Sequence, residues 1–254
     1  IFDVTSSDPA TPIYGAFTEG AAVLSNEVVQ RWIQEATIVV DIVWIIDNSG
    51  SMMPFQNLLG QNMADFMMVF LSYTPDFQMA FITTDNPNFV NTPIDARTAN
   101  PIDDAIAAID SIGIGGSGWE KGLQMLEDCM ISGDCTQWMR PNAKLIAIFL
   151  SDEPDHSTST PNYFINSFDA LKPDAFVPFA IIGDPPQGCP GQSGWSTQPG
   201  WGYYDLVQHY GSQWFSICDG DWGAQLESLA QNISVKTIFE IESEDPHVDT
   251  LRVW

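Results

Sequence analysis

The sequence predicts an α/β protein: a doubly wound, mostly parallel central sheet with helices on both faces, plus a short C-terminal β-hairpin. Strongly apolar runs such as "TIVVDIVWII", "AKLIAIFLSD" and "AFVPFAIIGD" have the density of strands buried on both faces. They alternate with segments whose apolar residues recur at helical spacing, the pattern of successive βα units. Among the aspartates that follow these strands, Asp47 and Asp152 stand at the edge where an open parallel sheet binds its ligands. At 254 residues the chain is long enough for one large α/β domain with a modest appendage.

Residues 1–35 mix turn signals at "SSDPATP" with a half-helical "SNEVVQRWIQEA", and read as an N-terminal lead-in segment lying over the main sheet. The main domain is placed at residues 36–234. It opens with the strand "IVVDIVWII" and continues into the helix "PFQNLLGQNMADFMMVFLSY". A second buried strand, "DFQMAFITTD", precedes the loop-rich "NPNFVNTPIDARTANP". The short helix "IDDAIAAID", the glycine loop "IGIGGSG" and the helix "WEKGLQMLEDCM" follow. "AKLIAIFLSD" and "AFVPFAIIGD" are strands separated by the helix "NYFINSFDAL". The stretch "DPPQGCPGQSGWSTQPGWG" is a loop crowded with Gly and Pro, long enough to be functional or cross-linked. A helix "YYDLVQHYG", a strand "QWFSIC" and a helix "WGAQLESLAQNI" complete the domain. Residues 235–254 carry two strand-like runs around "SEDPH", the expected hairpin and the start of a further β domain beyond Trp254.

Acidic residues number 33 against 8 basic ones, a formal net charge of -25. Such a surface repels phosphate backbones and anionic membranes, which excludes nucleic acid as a partner. It stays soluble in ion-rich surroundings and attracts divalent cations. The longest apolar run carries Asp41 and falls well short of the roughly 20 residues of a membrane span, so no membrane insertion is expected within the chain. The chain opens at Ile1 with neither Met nor a signal-peptide pattern, as a processed product or an interior segment does.

The four cysteines, Cys129, Cys135, Cys189 and Cys218, form no CxxC metal or redox pair. Cys129 with Cys135 would close a short loop, and Cys189 with Cys218 would tie down the long Gly/Pro loop; four reduced thiols are the other reading. The look of "DCMISGDC", a helix end stapled to its own loop, favours bridges and an oxidising compartment.

In "DIVWIIDNSGSM", Asp47, Ser49 and Ser51 turn inward together when the loop after the strand curls, giving one carboxylate and two hydroxyls. Hard oxygen donors suit Mg2+ first, and Mn2+ or Ca2+, rather than zinc. Three donors leave an octahedral ion incomplete, so further ligands are expected from other strand-end loops. Ser117 in "GIGGSGWEKGL" and Asp152 in "LIAIFLSDEPDHS" are the candidates. The competing role for Asp47 and Asp152 is helix capping. Glu120, Glu153 and Asp155 share the rim. Glu120 orients the loop through a hydrogen bond or is an exposed first-turn helix acid. Glu153 and Asp155 reach a ligand through water or are solvated loop charges.

With Asp47, Ser49 and Ser51 in register with Ser117 and Asp152, the chain resembles a von Willebrand factor type A domain with a metal-ion-dependent adhesion site. That family carries D-x-S-x-S after its first strand, Thr or Ser in a glycine-rich loop, and Asp after its fourth strand. The resemblance covers roughly residues 38–233, and "IDNSGSM", "GSGWEKGL" and "FLSDE" are most similar to bacterial and phage surface proteins. It implies a non-enzymatic adhesion module whose ion takes an Asp or Glu carboxylate from a partner protein. It also implies an extracellular, cell-surface or virion location, and it favours the Cys189–Cys218 bridge. Ser117 departs from the commoner Thr and lacks the methyl that stiffens the rotamer, which bears on metal affinity.

Two other functions compete. One is a structural subunit of an assembly, bound to neighbouring subunits, whose metal only stabilises the fold. The other is a Mg2+-dependent phosphatase-like hydrolase, which needs a second carboxylate two residues after the nucleophile; that position is Ser49, unable to act as an acid near neutral pH. The G-x-G-x-x-G from Gly113 to Gly118 follows a helix rather than a first strand, so it is not a nucleotide fingerprint. "GGSGW" puts Trp119 where a nucleophile elbow needs glycine.

Overall fold

A computed structural model describes residues 2–5, 20–24, 27–32, 39–74, 76–189, 197–234 and 252–253. The chain divides into two units, residues 1–36 with 234–254, and residues 37–233.

In the first unit β1 (Phe2–Thr5), β2 (Gly20–Leu24), β3 (Glu27–Trp32) and β10 (Arg252–Val253) form a sheet in the order β10-β1-β3-β2. All its pairings are antiparallel. β3 overturns the half-helical reading of residues 25–36. The spacing of Val28, Val29 and Trp32 also suits a helix, but β-branched and aromatic residues fit a pleated surface, and pairing to β1 and β2 on both sides outweighs the local period. The expected C-terminal hairpin falls on residues 235–251, which lie outside the described residues; Arg252 and Val253 pair with Thr5 and Val4.

The second unit is built on a six-stranded sheet. Its strands are β4 (Val39–Ile46), β5 (Asp76–Thr83), β6 (Ile94–Asp95), β7 (Lys144–Ser151), β8 (Phe176–Ile182) and β9 (Trp214–Ser216), in the order β6-β5-β4-β7-β8-β9. Only the two-residue edge strand β6 runs antiparallel; the other pairings are parallel. The helices are α1 (Met53–Tyr73), α2 (Pro101–Ile112), α3 (Gly122–Ile131), α4 (Cys135–Trp138), α5 (Pro161–Leu171), α6 (Tyr203–His209) and α7 (Trp222–Ser234).

The two-residue period of the strands divides the core into two layers. In β4, Val40, Ile42, Trp44 and Ile46 pack with α1, α2 and α7, whereas Val43 and Ile45 pack with α3, α5 and α6. β7 does the same, with Ile146, Ile148 and Leu150 on one face and Leu145, Ala147 and Phe149 on the other. Strands covered on both faces explain why these runs are apolar almost without interruption.

Asp41 interrupts β4 and is fully buried. Its carboxylate accepts hydrogen bonds from the Arg140 backbone N–H at 2.6 Å and from Arg140 Nε at 2.7 Å. Arg140 also donates to the Val40 carbonyl and bridges to Asp76, while Lys172 Nζ donates to the Arg140 carbonyl at 2.6 Å. This paired cluster sits near the amino ends of β4 and β5, away from the strand ends that carry Asp47 and Asp152.

Both disulfides form, Cys129–Cys135 between α3 and α4 and Cys189–Cys218 between the loop after β8 and the turn after β9. Among the described residues no helix is long and apolar enough to cross a membrane.

Candidate metal centre

Strand order reverses at β4, which has β5 on one side and β7 on the other, so the carboxyl ends of β4 and β7 open on a common crevice. Asp47 leaves β4 with its backbone N–H still bonded to the Leu150 carbonyl at 2.9 Å. The chain then curls through Asn48 and Ser49 into a 3-10 turn, Gly50–Met52, and on into α1, whose first turn accommodates Pro54.

The curl gathers the D-x-S-x-S side chains. Asp47 Oδ1 accepts from the Ser49 backbone N–H at 2.8 Å, and the Ser49 and Ser51 hydroxyls stand 3.0 Å apart. Ser51 Oγ donates to Asp152 Oδ1 at 3.1 Å, joining two loops about a hundred residues apart in the chain. Ser151, which no local sequence pattern singles out, donates its hydroxyl to Asp47 Oδ2 at 2.7 Å and fixes that carboxylate's orientation. Gln56 Nε2 ties the Asp47 carbonyl at 2.9 Å to the Gly113 carbonyl at 3.0 Å, anchoring the start of the glycine loop.

The glycine loop behaves differently from expectation. Gly116 N–H donates to the Asn48 carbonyl at 2.8 Å, and a side chain at Gly116 would collide with the Asn48 amide. The next residue, Ser117, turns outward. Its N–H donates to Asp85 Oδ2 at 2.7 Å, its hydroxyl accepts from Trp119 N–H at 3.0 Å, and it is exposed. The structure therefore brings Asp47, Ser49, Ser51 and Asp152 together and leaves Ser117 outside that hydrogen-bonded group.

Glu120, by contrast, is 0% exposed. Its Oε2 accepts a short hydrogen bond from Thr84, at the end of β5, and its carboxyl faces that of Asp47. His156, in the loop after β7, donates its N–H to the Glu120 carbonyl at 2.6 Å. Glu120 is thus not an exposed helix acid. The helix begins at Gly122, because its first N–H groups are satisfied from outside: Gly122 by Tyr203 Oη at 3.2 Å, Leu123 by Asp155 Oδ1 at 3.2 Å, and Gln124 by Ser157 Oγ at 3.0 Å. Asp155 is occupied by this capping role, and half-buried Glu153 lies 3.9 Å from His156 Nε2.

Burial pushes the carboxyls of Asp47, Glu120 and Asp152 up. Glu120 reaches about 9, through desolvation and then the charge of Asp47. Asp152 reaches about 7, through desolvation, Asp47 and Glu153. No Lys or Arg hydrogen-bonds to any of the three among the described residues. Clustered buried acid without a basic partner is the setting a cation relieves. Among the described residues no three His, Cys, Asp or Glu side chains alone could hold an ion, so the serine hydroxyls are needed to complete a donor set. That set contains oxygen only, which fits a hard divalent cation.

A pH dependence follows for the ion-free protein. Carboxyls raised on folding bind protons more tightly folded than unfolded, so stability falls as pH rises from near the unfolded values of about 4. The loss continues through about 7 for Asp152 and about 9 for Glu120. Thermal melts in chelator are expected to drop from about pH 5 to about pH 8, and a saturating divalent cation, which takes the protons' place, to remove most of that drop.

No protein-family model matches the chain, and no curated protein matches it. Solved structures do. A von Willebrand factor type A protein from Catenulispora acidiphila superposes with a TM-score of 0.53 at 15% identity, covering 78% of this chain and 43% of that one. Proximal thread matrix protein 1 from the mussel byssus, with a zinc-occupied MIDAS motif, superposes with a TM-score of 0.50 at 15% identity, covering 79% of this chain and 47% of that one. This chain thus spans less than half the length of either. The central parallel sheet, its helices on both faces and these superpositions establish that the chain has the von Willebrand factor type A fold.

Proposed function

We propose that residues 37–233 are a non-enzymatic, metal-dependent protein-binding module. A divalent cation, Mg2+ before Mn2+ or Ca2+, is held at the ends of β4 and β7 by Asp47, Ser49, Ser51 and Asp152, with a further oxygen from the glycine loop. The sequence register assigns that oxygen to Ser117. A carboxylate from an Asp or Glu of a partner protein takes the remaining coordination position. The observation that carries this reading is the hydrogen-bonded chain from Asp47 through Ser49 and Ser51 to Asp152, which brings hard donors from two separate loops together without a basic residue. The zinc-occupied motif of the mussel matrix protein supports a divalent cation at this place in the fold. Trp119, 67% exposed and packed edge-on against His156, offers an aromatic anchor beside the crevice. Two disulfides and the strongly acidic surface support an extracellular setting, on a cell surface or a virion.

Calorimetry with Mg2+, Mn2+ and Ca2+ tests the reading. One ion per chain is expected, and no uptake of any of the three overturns it. Hydrolysis of a generic phosphate ester is expected to stay at the level of the ion alone.

A further inference from the structure

We infer that Glu120, not Ser117, supplies the glycine loop's oxygen to the ion. The inference rests on the metal-binding reading above and refines its ligand set. Ser117 is turned away by three contacts: Gly116 is tied to Asn48, Ser117 N–H to Asp85, and the Ser117 hydroxyl to the N–H of Trp119. Freeing that hydroxyl for the crevice would break the last of these and swing an exposed loop inward. Glu120 is already there. Its backbone carbonyl is held by His156 from the loop after β7, and its Oε2 by Thr84 from the end of β5. Its Oε1 is fully buried and has no hydrogen-bond partner. A buried carboxyl oxygen that meets no N–H or hydroxyl donor is costly, and here the side chain faces another carboxyl, that of Asp47. A cation between the two carboxylates satisfies Oε1 and cancels their repulsion together. Glycine at 116 and serine at 117 then serve to let the loop pass close to Asn48 and turn, while the third residue beyond carries the ligand.

The consequence is a site in which a carboxylate, Glu120, takes the place of the loop hydroxyl beside Asp47, while Ser49 and Ser51 carry the link to Asp152. It holds its ion more firmly, and it favours cations that tolerate several carboxylate oxygens.

The test is calorimetric titration of Mn2+ into wild type, Asp47→Ala, Glu120→Gln and Ser117→Ala, with melts in chelator to confirm folding. Glu120→Gln keeps the shape of the side chain and an oxygen that accepts from Thr84, so its ion-free melt is expected at or above that of wild type. Its Mn2+ affinity is expected to fall about tenfold or more, with Ser117→Ala within about twofold of wild type. A Glu120→Gln affinity within about twofold of wild type, or a larger loss in Ser117→Ala, overturns the inference. If that happens while Asp47→Ala still abolishes uptake, the metal-binding reading stands without it. If wild type takes up no Mn2+, both fall.

Discussion

Asp47→Ala is expected to lower divalent-cation affinity by about a hundredfold or more while leaving the protein folded. In the proposed site this side chain supplies a carboxylate to the ion, and it also organises its neighbours, since Oδ1 holds the Ser49 N–H and Oδ2 receives the Ser151 hydroxyl. Alanine removes the donor and releases the curl that presents Ser49 and Ser51. In the absence of ion the same substitution removes a buried charge from beside Glu120 and Asp152, so the melt in chelator is not expected to fall far. A module that adheres through its ion loses partner binding in this variant, whereas an assembly subunit with a merely stabilising ion loses thermal stability in Mg2+ and keeps its partner. Retention of ion affinity within about tenfold would place the centre elsewhere.

Arg140→Ala is expected to cost about 3–5 kcal/mol in urea unfolding, because it leaves the buried Asp41 carboxylate without its guanidinium partner near the amino end of the central strand β4. The guanidinium also bridges to Asp76 and to the Val40 carbonyl, so one side chain ties the starts of two strands. Burial already pushes Asp41 above its ordinary value, and the Arg140 hydrogen bonds and charge are what restrain it. Adding Asp41→Asn to Arg140→Ala is expected to recover a large part of the loss, the non-additivity that marks a shared interaction. Simple addition of the two single effects would show that Arg140 acts through packing alone.

Legibility in the sequence followed the range of the interactions involved. The strands that become β4, β7 and β8 were evident because burial on both faces leaves no polar side to mask. The D-x-S-x-S curl was evident because its donors lie within five residues and one local turn arranges them. Asp152 was evident because it ends a strand of unmistakable hydrophobicity. The glycine loop is where local reading failed to separate two residues. Ser117 and Glu120 stand three apart, and which one faces inward is decided by Asp85, Thr84 and His156, all distant in the chain. The local pattern starts α3 at Trp119 rather than Gly122 for the same reason, since its N-terminal caps come from Tyr203, Asp155 and Ser157. A usable signal did exist: Glu120 is an acid in a stretch whose neighbours are small or aromatic, with Lys121 the only basic residue beside it. β3 is ambiguous in the sequence because Val28, Val29 and Trp32 satisfy both periods, and its two neighbouring strands choose between them.

The Cys189–Cys218 bridge reaches further than the loop it closes. Thr197 exchanges backbone and hydroxyl hydrogen bonds with Cys189, and the adjacent Gln198 donates its N–H to the Asp152 carbonyl at 2.8 Å. Reducing that one sulfur–sulfur bond leaves the backbone of Asp152 steadied by weak contacts where a covalent strut had stood. For the proposed centre, the thiol–disulfide state of the surroundings thereby becomes a condition on how well an ion is gripped.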